Sequence, residues 1–199
     1  MKRIFRIAIV VIMLLSTGIV NGQDLGFGLK GGLNLASLKV DDPEASYKSK
    51  VGYHAGIFLR AKFSKVAVQP EVLLFTQKTN GEFAGFGDVE ESFTYVSVPV
   101  MLKFYPIAGL NLQAGPQFGF LVDGDRKFDT ILGTFKEDIK DSYKKSDVSI
   151  SVGGGYDFGF GLGLDVRYNI GLKDINNLAD GEEVKSKVFL VSIGWNFIK

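Results

Sequence analysis

The chain has 199 residues, of which 46% are hydrophobic, and its formal net charge of +1 is too balanced to suggest a nucleic-acid partner. The sequence contains 25 glycines and 17 phenylalanines but no cysteine, which excludes disulfides, thiolate metal sites, cysteine nucleophiles and a lipid-bearing cysteine. This length suits a single domain that buries a sizeable core or closes a barrel.

The first 22 residues have the three parts of a secretory signal peptide. Three basic residues precede an uncharged apolar run from Ile7 to Leu15, and Val20 and Gly22 are small enough for the −3 and −1 positions of a cleavage site. The apolar run is too short to cross a bilayer as a helix. We therefore predict that residues 1–22 are cleaved, and a retained anchor helix is the alternative.

From residue 25 onward, the sequence alternates apolar and polar or small residues, which is the period of a β-strand. The stretch FGFGLGLDVRYNIGL, residues 158–172, shows this alternation most clearly. Strands of about 9–11 tilted residues cross a bilayer, whereas usual strands have about 5–6. Eight long strands are predicted, over residues 25–36, 51–63, 66–77, 93–105, 109–122, 147–158, 158–172 and 187–198.

The links between these strands alternate strictly between short and long. The short links are Ser64-Lys65, residues 106–108 and a tight turn near Phe158-Gly159. The long, polar links are residues 37–50, 78–92, 123–146 and 173–186. Outer-membrane barrels have short periplasmic turns and longer extracellular loops. The pattern thus predicts that residues 23–199 form one all-β domain, an eight-stranded antiparallel up-and-down transmembrane β-barrel with periplasmic termini.

The two faces of the predicted strands differ in composition, and this difference indicates which face meets lipid. One row is almost wholly apolar, as in Leu25, Phe27, Leu29 and Leu33, and the other combines glycines with polar residues. Glycine weakens a solvated strand but leaves room inside a narrow barrel. The apolar row is therefore predicted to face lipid. The alternative is a secreted lipocalin-like cup whose apolar row lines a ligand cavity.

Aromatic residues of the apolar row concentrate near the predicted periplasmic strand ends. Girdles of aromatic residues at the membrane interfaces are typical of such barrels. The predicted interface aromatics are Phe27, Phe63, Phe104, Tyr156, Phe158, Phe160, Trp195 and Phe197.

Several stretches together give the chain a family resemblance. In order, they are GLKGGLNLASL, GYHAGIFLRAKF, QPEVLLFTQK, YVSVPVMLKFYP, AGPQFGFLVDG and VRYNIGLKDI. With these, nearly the whole mature chain resembles the outer-membrane β-barrel domain family of small Gram-negative barrels that includes PorT-like proteins. The resemblance implies fold and location but no reaction, and PorT-like members are linked to a secretion and gliding apparatus. One departure is that Ile198 and Lys199 follow Phe197, where such barrels typically end in an aromatic residue.

The resemblance also implies the surroundings of the protein. The expected contacts are outer-membrane lipid and, during biogenesis, the barrel-assembly machinery. We expect a monomer, no nucleic acid and no cofactor, and the sequence names no protein partner.

Three local features suggest chemistry that their context does not support. GFGLKG, Gly26–Gly31, fits a dinucleotide fingerprint but lies inside a predicted strand. DGDRKFD, Asp123–Asp129, lacks the ligands of a calcium loop and is predicted to be a solvated loop tip. His54, the single histidine, lies in the inward row, and no serine or carboxylate can be placed beside it from sequence. We therefore expect no catalytic, cofactor-binding or metal-binding residues.

Charged residues in the inward row are the most informative candidates. The sequence places Lys30, Arg60, Lys62, Lys103 and Arg167 in that row, opposed by Glu71 and Asp165. Lys62 and Lys103 are predicted near the periplasmic rim, in reach of water. A buried charge requires a partner. We therefore predict a plug in which Glu71 and Asp165 bridge Arg60, Arg167 and Lys30.

These observations leave three hypotheses for function. The first is a non-enzymatic barrel that acts through its long loops or its periplasmic rim. The second is a narrow, anion-preferring pore whose basic excess sets selectivity, although eight strands normally enclose too little space for a channel. The third is a lipid-modifying enzyme that uses His54.

Overall fold

The computed structural model describes residues 24–39, 47–49, 51–83, 87–130, 133–138, 146–172 and 185–198, so the predicted signal peptide lies outside the described residues. In this part of the chain, no helix is both long and apolar enough to cross a membrane. The strands are β1 (Asp24–Lys39), β2 (Tyr47–Ser49), β3 (Val51–Phe63), β4 (Val66–Phe83), β5 (Gly87–Phe104), β6 (Leu110–Thr130), β7 (Gly133–Asp138), β8 (Ser146–Asp157), β9 (Leu162–Gly171) and β10 (Lys185–Asn196).

Eight of these strands close into an antiparallel barrel. The order around the wall is β1, β3, β4, β5, β6, β8, β9 and β10, and pairs such as Leu29 with Trp195 join β10 back to β1. The short strands β2 and β7 pair with β4 and β6 at the loop end of the wall. The predicted eight-stranded up-and-down barrel is therefore confirmed.

The wall of the barrel is apolar outside and polar inside, the reverse of a soluble core. Leu33 and Leu74 are each 59% exposed, whereas Lys103 in the lumen is fully buried and Glu71 is 1% exposed. Most of each strand alternates between the two environments because successive side chains point to opposite faces, although Phe75, Thr76 and Gln77 on β4 are all buried. The predicted assignment of the two rows therefore holds along the described strands.

The turn between β8 and β9 differs from the prediction. Phe158 donates its backbone N–H to the carbonyl of Leu162 (2.8 Å), and Gly161 donates to that of Phe158 (3.0 Å). The predicted strand 158–172 therefore begins only at Leu162. The chain reverses at Gly161, whose φ of 109° is rarely adopted by residues with a side chain.

Several segments predicted as long loops are strands in the structure. The β4–β5 pairing continues to Phe83 and Gly87, and β6 runs on to Thr130, where it pairs with β7. Asp123–Asp129, predicted to be a loop tip, lies in this extension of β6. The prediction was wrong here because the extended strands are polar, and a polar strand has the composition of a loop.

The loop end of the lumen contains apolar side chains that the sequence analysis did not single out. Phe75, Val188 and Leu190 pack together, and Phe93 packs against Leu121. Tyr95 packs against both groups. We call these six residues the apolar layer. The lumen therefore contains charged pairs at mid-height and, toward the loop end, an apolar cluster beside polar side chains such as Gln77 and Ser97.

Candidate functional site

Two carboxylates hold the centre of the lumen. Glu71 on β4 accepts a two-pronged contact from Arg167 on β9 (2.6 and 2.8 Å) and a third bond from Lys30 on β1 (3.2 Å). Asp165 on β9 pairs with the same Lys30 (2.5 Å) and with Lys103 on β5 (3.3 Å). Paired guanidinium–carboxylate contacts are among the strongest hydrogen bonds in proteins. Each of these buried charges thus has an opposite charge within contact.

A second carboxylate level lies nearer the turn end, around Asp157. Asp157 pairs with Arg60 (3.2 Å) and Lys103 (3.6 Å) and accepts hydrogen bonds from Tyr105 (2.7 Å) and Asn111 (3.3 Å). Tyr105 lies past the end of β5, and burial, together with the charge of Asp157, raises its pKa above the usual range. Its phenol therefore stays protonated and can donate. Lys103 connects the two levels.

Buried amides complete the two levels. Gln69 accepts from Arg60 Nε (2.7 Å) and donates to Glu71 (2.6 Å). Gln113 accepts from Arg167 Nε (2.9 Å) and donates to Asp165 (2.8 Å). Buried polar groups are costly when they lack partners, and these amides use both their donor and acceptor atoms. We call the charged residues and amides of both levels the lumen network.

The lumen network differs from the sequence-based hypothesis at two positions. Lys30 and Arg167 do lie against Glu71 and Asp165, but Arg60 pairs with Asp157 and Gln69 instead. The prediction that Lys103 reaches water was wrong, because this side chain is fully buried. Its long stem allows the ammonium group to reach Asp165, away from the rim.

Two residues near the turn end, Lys62 and Asp157, differ in how well the sequence analysis placed them. The Lys62 ammonium lies over the Tyr105 ring, 4.3 Å from its centroid, and is only partly buried. Asp157 was missed by the sequence analysis. The alternation of β8 would have found it, because Ser151, Gly153 and Asp157 share the inward row.

Glycines leave the space that the lumen network fills. A Cβ atom built on Gly155 would overlap Asp165 Oδ1 and the carbonyl of Leu164. A Cβ atom on Gly153 would overlap the backbone of Val166. The glycine-rich stretch of β8 therefore faces the charged side chains of β9 at close approach, as expected where backbones and ligating groups come near each other.

His54 lies between the lumen network and the apolar layer. Its Nε2 is 2.8 Å from Ser192 Oγ, and its ring stacks on Phe75 with centroids 6.2 Å apart. Sequence reasoning could not place Ser192 there because β1 separates β3 from β10. Both residues are 2% exposed, and His54 Nδ1 has no hydrogen-bond partner among the described residues. A hydrolytic triad needs a group that orients this nitrogen and a serine that substrate can reach.

Little free volume remains inside the barrel. Around the described residues, the cavity below the apolar layer has about 30 Å³ and includes Gln117 and Asn169 in its lining. A second cavity, beside Lys30 and Arg60, has about 10 Å³. Such volumes hold at most a few water molecules. A larger pocket of about 430 Å³ opens at the turn end, where Lys62 and Asp157 contribute to its lining.

The predicted interface aromatics lie at the turn end. Tyr156 and Phe158 have centroids 4.8 Å apart, Phe158 and Phe160 are 5.4 Å apart, and Phe160 and Trp195 are 6.2 Å apart. Around the rest of the rim lie the pair Phe27–Phe197, also 6.2 Å apart, and the exposed residues Phe63 and Phe104. Their role as anchors in the membrane interface stays a prediction.

The described residues contain no group of three or more histidine, cysteine, aspartate or glutamate side chains placed to hold a metal ion. The carboxylates of the lumen network are instead occupied by lysine, arginine and amide partners.

Comparison with known proteins agrees with this architecture. A family model described as the outer membrane protein beta-barrel domain matches residues 21–177. No curated protein matches the sequence. The structure is similar to Ail, the attachment invasion locus protein of Yersinia pestis, with 17% identity, a TM-score of 0.50, and coverage of 89% of this chain and 100% of Ail. It is also similar to Neisserial surface protein A, with 10% identity, a TM-score of 0.51, and coverage of 89% and 100%. At these identities, the likeness concerns the fold alone.

Proposed function

The chain belongs to the outer membrane protein beta-barrel domain family, and from that premise we propose that it is a sealed, non-enzymatic barrel that acts through the surfaces at its two ends. Family membership places the protein in the lipid of the outer membrane. The observation that carries the proposal is the lumen network, in which Lys30, Lys103 and Arg167 are bound to Glu71 and Asp165 across the barrel.

Two successive barriers support a sealed lumen. At mid-height, the lumen network joins opposite walls through contacts of 2.5 to 3.3 Å, as between Lys30 and Asp165 or Lys103 and Asp165. Toward the loop end, the side chains of the apolar layer narrow the lumen, and the cavity that they line together with polar residues such as Gln77 and Gln117 has only about 30 Å³. A conducting pore requires a continuous series of water or ion sites, and the cavities of about 30 and 10 Å³ do not supply one.

With the lumen closed, the two ends of the barrel carry the function. At the loop end, strands β4 to β7 extend the sheet beyond the apolar part of the wall. At the turn end, the pocket of about 430 Å³ combines Lys62 and Asp157 with Tyr156 and Phe158. Either surface could receive a protein partner, and a secretion-associated role of the PorT-like kind would use them in this way.

We further propose the orientation and processing of the chain. Cleavage after Gly22 leaves residues 23–199 as the barrel domain, which the barrel-assembly machinery inserts as a monomer. The first and last barrel strands end beside each other, as the pairing of Gly28 with Asn196 shows, and this is the end with the short turns. Short turns are periplasmic in outer-membrane barrels, so both termini are periplasmic.

We infer no catalysis at His54. The pair with Ser192 has the distance of a general base and a nucleophile, but both side chains are buried between the lumen network and the apolar layer. A nucleophile must meet its substrate, and neither end surface reaches this serine.

Conductance in planar bilayers separates the sealed barrel from the pore. We expect the wild-type protein to give no steady single-channel current. The double variant Lys30→Ala/Arg167→Ala, which removes the two cations that bridge Glu71 and Asp165, should give channel openings. Heat-modifiable gel mobility checks that each preparation is folded. Steady, anion-preferring current from the wild type would establish the pore and refute the sealed barrel.

A further inference from the structure

Three of the seams between neighbouring barrel strands are interrupted, and these three adjoin one another. Pairing lapses opposite Pro70 in the β3–β4 seam, opposite Pro99 in the β4–β5 seam and opposite Pro116 in the β5–β6 seam. The other five seams between the described strands pair without a gap. The wall therefore has an interrupted part and a continuous part.

The interruptions have a simple cause. Proline has no backbone N–H, so it cannot donate to the neighbouring strand. Across each gap, a backbone carbonyl lacks the N–H donor that a residue other than proline would supply. By the register, these carbonyls belong to Leu59 opposite Pro70, Glu71 opposite Pro99 and Val100 opposite Pro116. Hydrocarbon offers no water to replace the missing donor, so the lost bonds cost more in a membrane than at a soluble surface. We call strands β4 and β5, with their seams to β3 and β6, the proline panel.

The lumen network crosses from the proline panel to the continuous part of the wall. Glu71 on β4 reaches Lys30 on β1 and Arg167 on β9. Lys103 on β5 reaches Asp165 on β9. Ion pairs across the lumen therefore connect the strands with weakened edges to the continuous part of the wall.

We propose that the proline panel is a locally weak section of the wall and that the lumen network is the latch that holds it closed. When a charged residue of the lumen network is neutralised, the strands of the proline panel lose their backbone pairing before the continuous part of the wall, β8, β9, β10 and β1, does. The fold therefore contains a conformational device, a wall segment that is poised to open and is controlled by the pairing of charges in the lumen.

Hydrogen exchange measured by mass spectrometry, on the full protein in lipid nanodiscs, tests the panel. Buried strands normally open only with the whole domain, whereas weak units open by themselves. We expect peptides from residues 66–75 and 95–103 to exchange faster than peptides from residues 148–155 and 187–195. Equal protection in the two sets would overturn the proposal.

The variant Asp165→Asn tests the latch. It keeps the size of the side chain but removes the charge that Lys30 and Lys103 contact. We expect exchange in the proline panel to rise by about tenfold, the factor that corresponds to the loss of one charged hydrogen bond. Asn169→Ser is the matched control, because Asn169 is a buried inward residue of the same strand that bonds Gln117 instead. An increase in hydrogen exchange that Asp165→Asn causes only in β9, and not in the proline panel, would refute the latch.

A third variant remains informative even if Asp165→Asn does not fold. Replacing Pro70, Pro99 and Pro116 together by alanine restores an N–H in each interrupted seam. In an otherwise wild-type chain, these three substitutions should slow hydrogen exchange at the neighbouring amides of the proline panel. In a chain that also carries Asp165→Asn, they should reduce the increase in exchange that Asp165→Asn causes. No slowing in the wild-type background would show that the missing donors do not weaken the wall, and would overturn the proposal.

Discussion

At the scale of single residues, the lumen shows how a narrow barrel accommodates buried charge. Glu71 is 1% exposed, and it is surrounded by Arg167, Lys30 and the amide of Gln69. A carboxylate without such partners would carry a severe desolvation cost. The neighbouring glycines make this arrangement possible, since a Cβ at Gly155 would occupy the place of the Asp165 carboxylate.

Glu71→Gln should weaken the barrel strongly. The substitution leaves Arg167 and Lys30 buried with less negative charge, and breaking a buried pair typically costs about 3–5 kcal/mol of the free energy of unfolding. Urea titration in lipid vesicles, followed by gel mobility, measures the change. The control Asp24→Asn alters an exposed carboxylate at the start of β1 and should change stability little. Equal losses of unfolding free energy in the two variants would contradict the view that buried ion pairs stabilise the barrel.

Gly155→Ala should also destabilise the barrel, by about 1–3 kcal/mol, because the added methyl group collides with Asp165 and the β9 backbone. Gly159→Ala provides the comparison, since a Cβ at this turn position meets no atom within 4 Å. The same urea titration compares the two. A Gly159→Ala loss as large as that of Gly155→Ala would mean that alanine fails in this hairpin for reasons other than crowding.

At the scale of strands and turns, the alternation predicted each wall strand, but several boundaries moved. The β9 strand starts at Leu162 because the reversal needs the backbone of Gly161. Strands β4, β5 and β6 extend past their predicted ends because pairing continues where the outer row is no longer apolar. Composition detects the part of a strand that meets lipid, whereas backbone pairing determines where the strand ends.

Trp195 allows the position of a strand end in the membrane to be measured. It is the single tryptophan, 44% exposed near the end of β10, and aromatic residues favour the membrane interface. We expect its fluorescence to be quenched most by lipids brominated near the headgroup. The matched variant Val191→Trp/Trp195→Phe moves the tryptophan along the same outward row and should respond most to deeper bromines. Stronger quenching of Trp195 by the deeper bromines than by those near the headgroup would contradict the interface position.

At the scale of the whole molecule, we propose a barrel that is sealed by the lumen network and the apolar layer, and large apolar side chains such as Leu33 and Leu74 are exposed on its outer wall. Closure removes every edge of the wall, so that each backbone group has a neighbouring strand. The described ladders lose pairing at the three prolines, whose gaps lie together rather than around the ring, and they shift register once, between Thr94 and Tyr95 in the β5–β6 seam.

The proposed orientation predicts which end of the molecule faces outward. A protease-cleavable tag after Lys199 should resist external protease in intact cells and be cut once the outer membrane is permeabilised. The same tag inserted in the 173–186 link, predicted to be extracellular, should be cut in intact cells. The reverse pattern would show that the termini face outward.

The sequence by itself determined the number of wall strands, their two faces and the row of inward charges, because these depend on local alternation and on the sizes of the residues. Only the tertiary structure decided which charges meet: that Arg60 binds Asp157, that Lys103 is buried, and that Ser192 lies beside His54. These contacts cross the lumen between strands far apart in the chain. They depend on the tilt and register of the closed barrel, which alternation along a single strand does not encode.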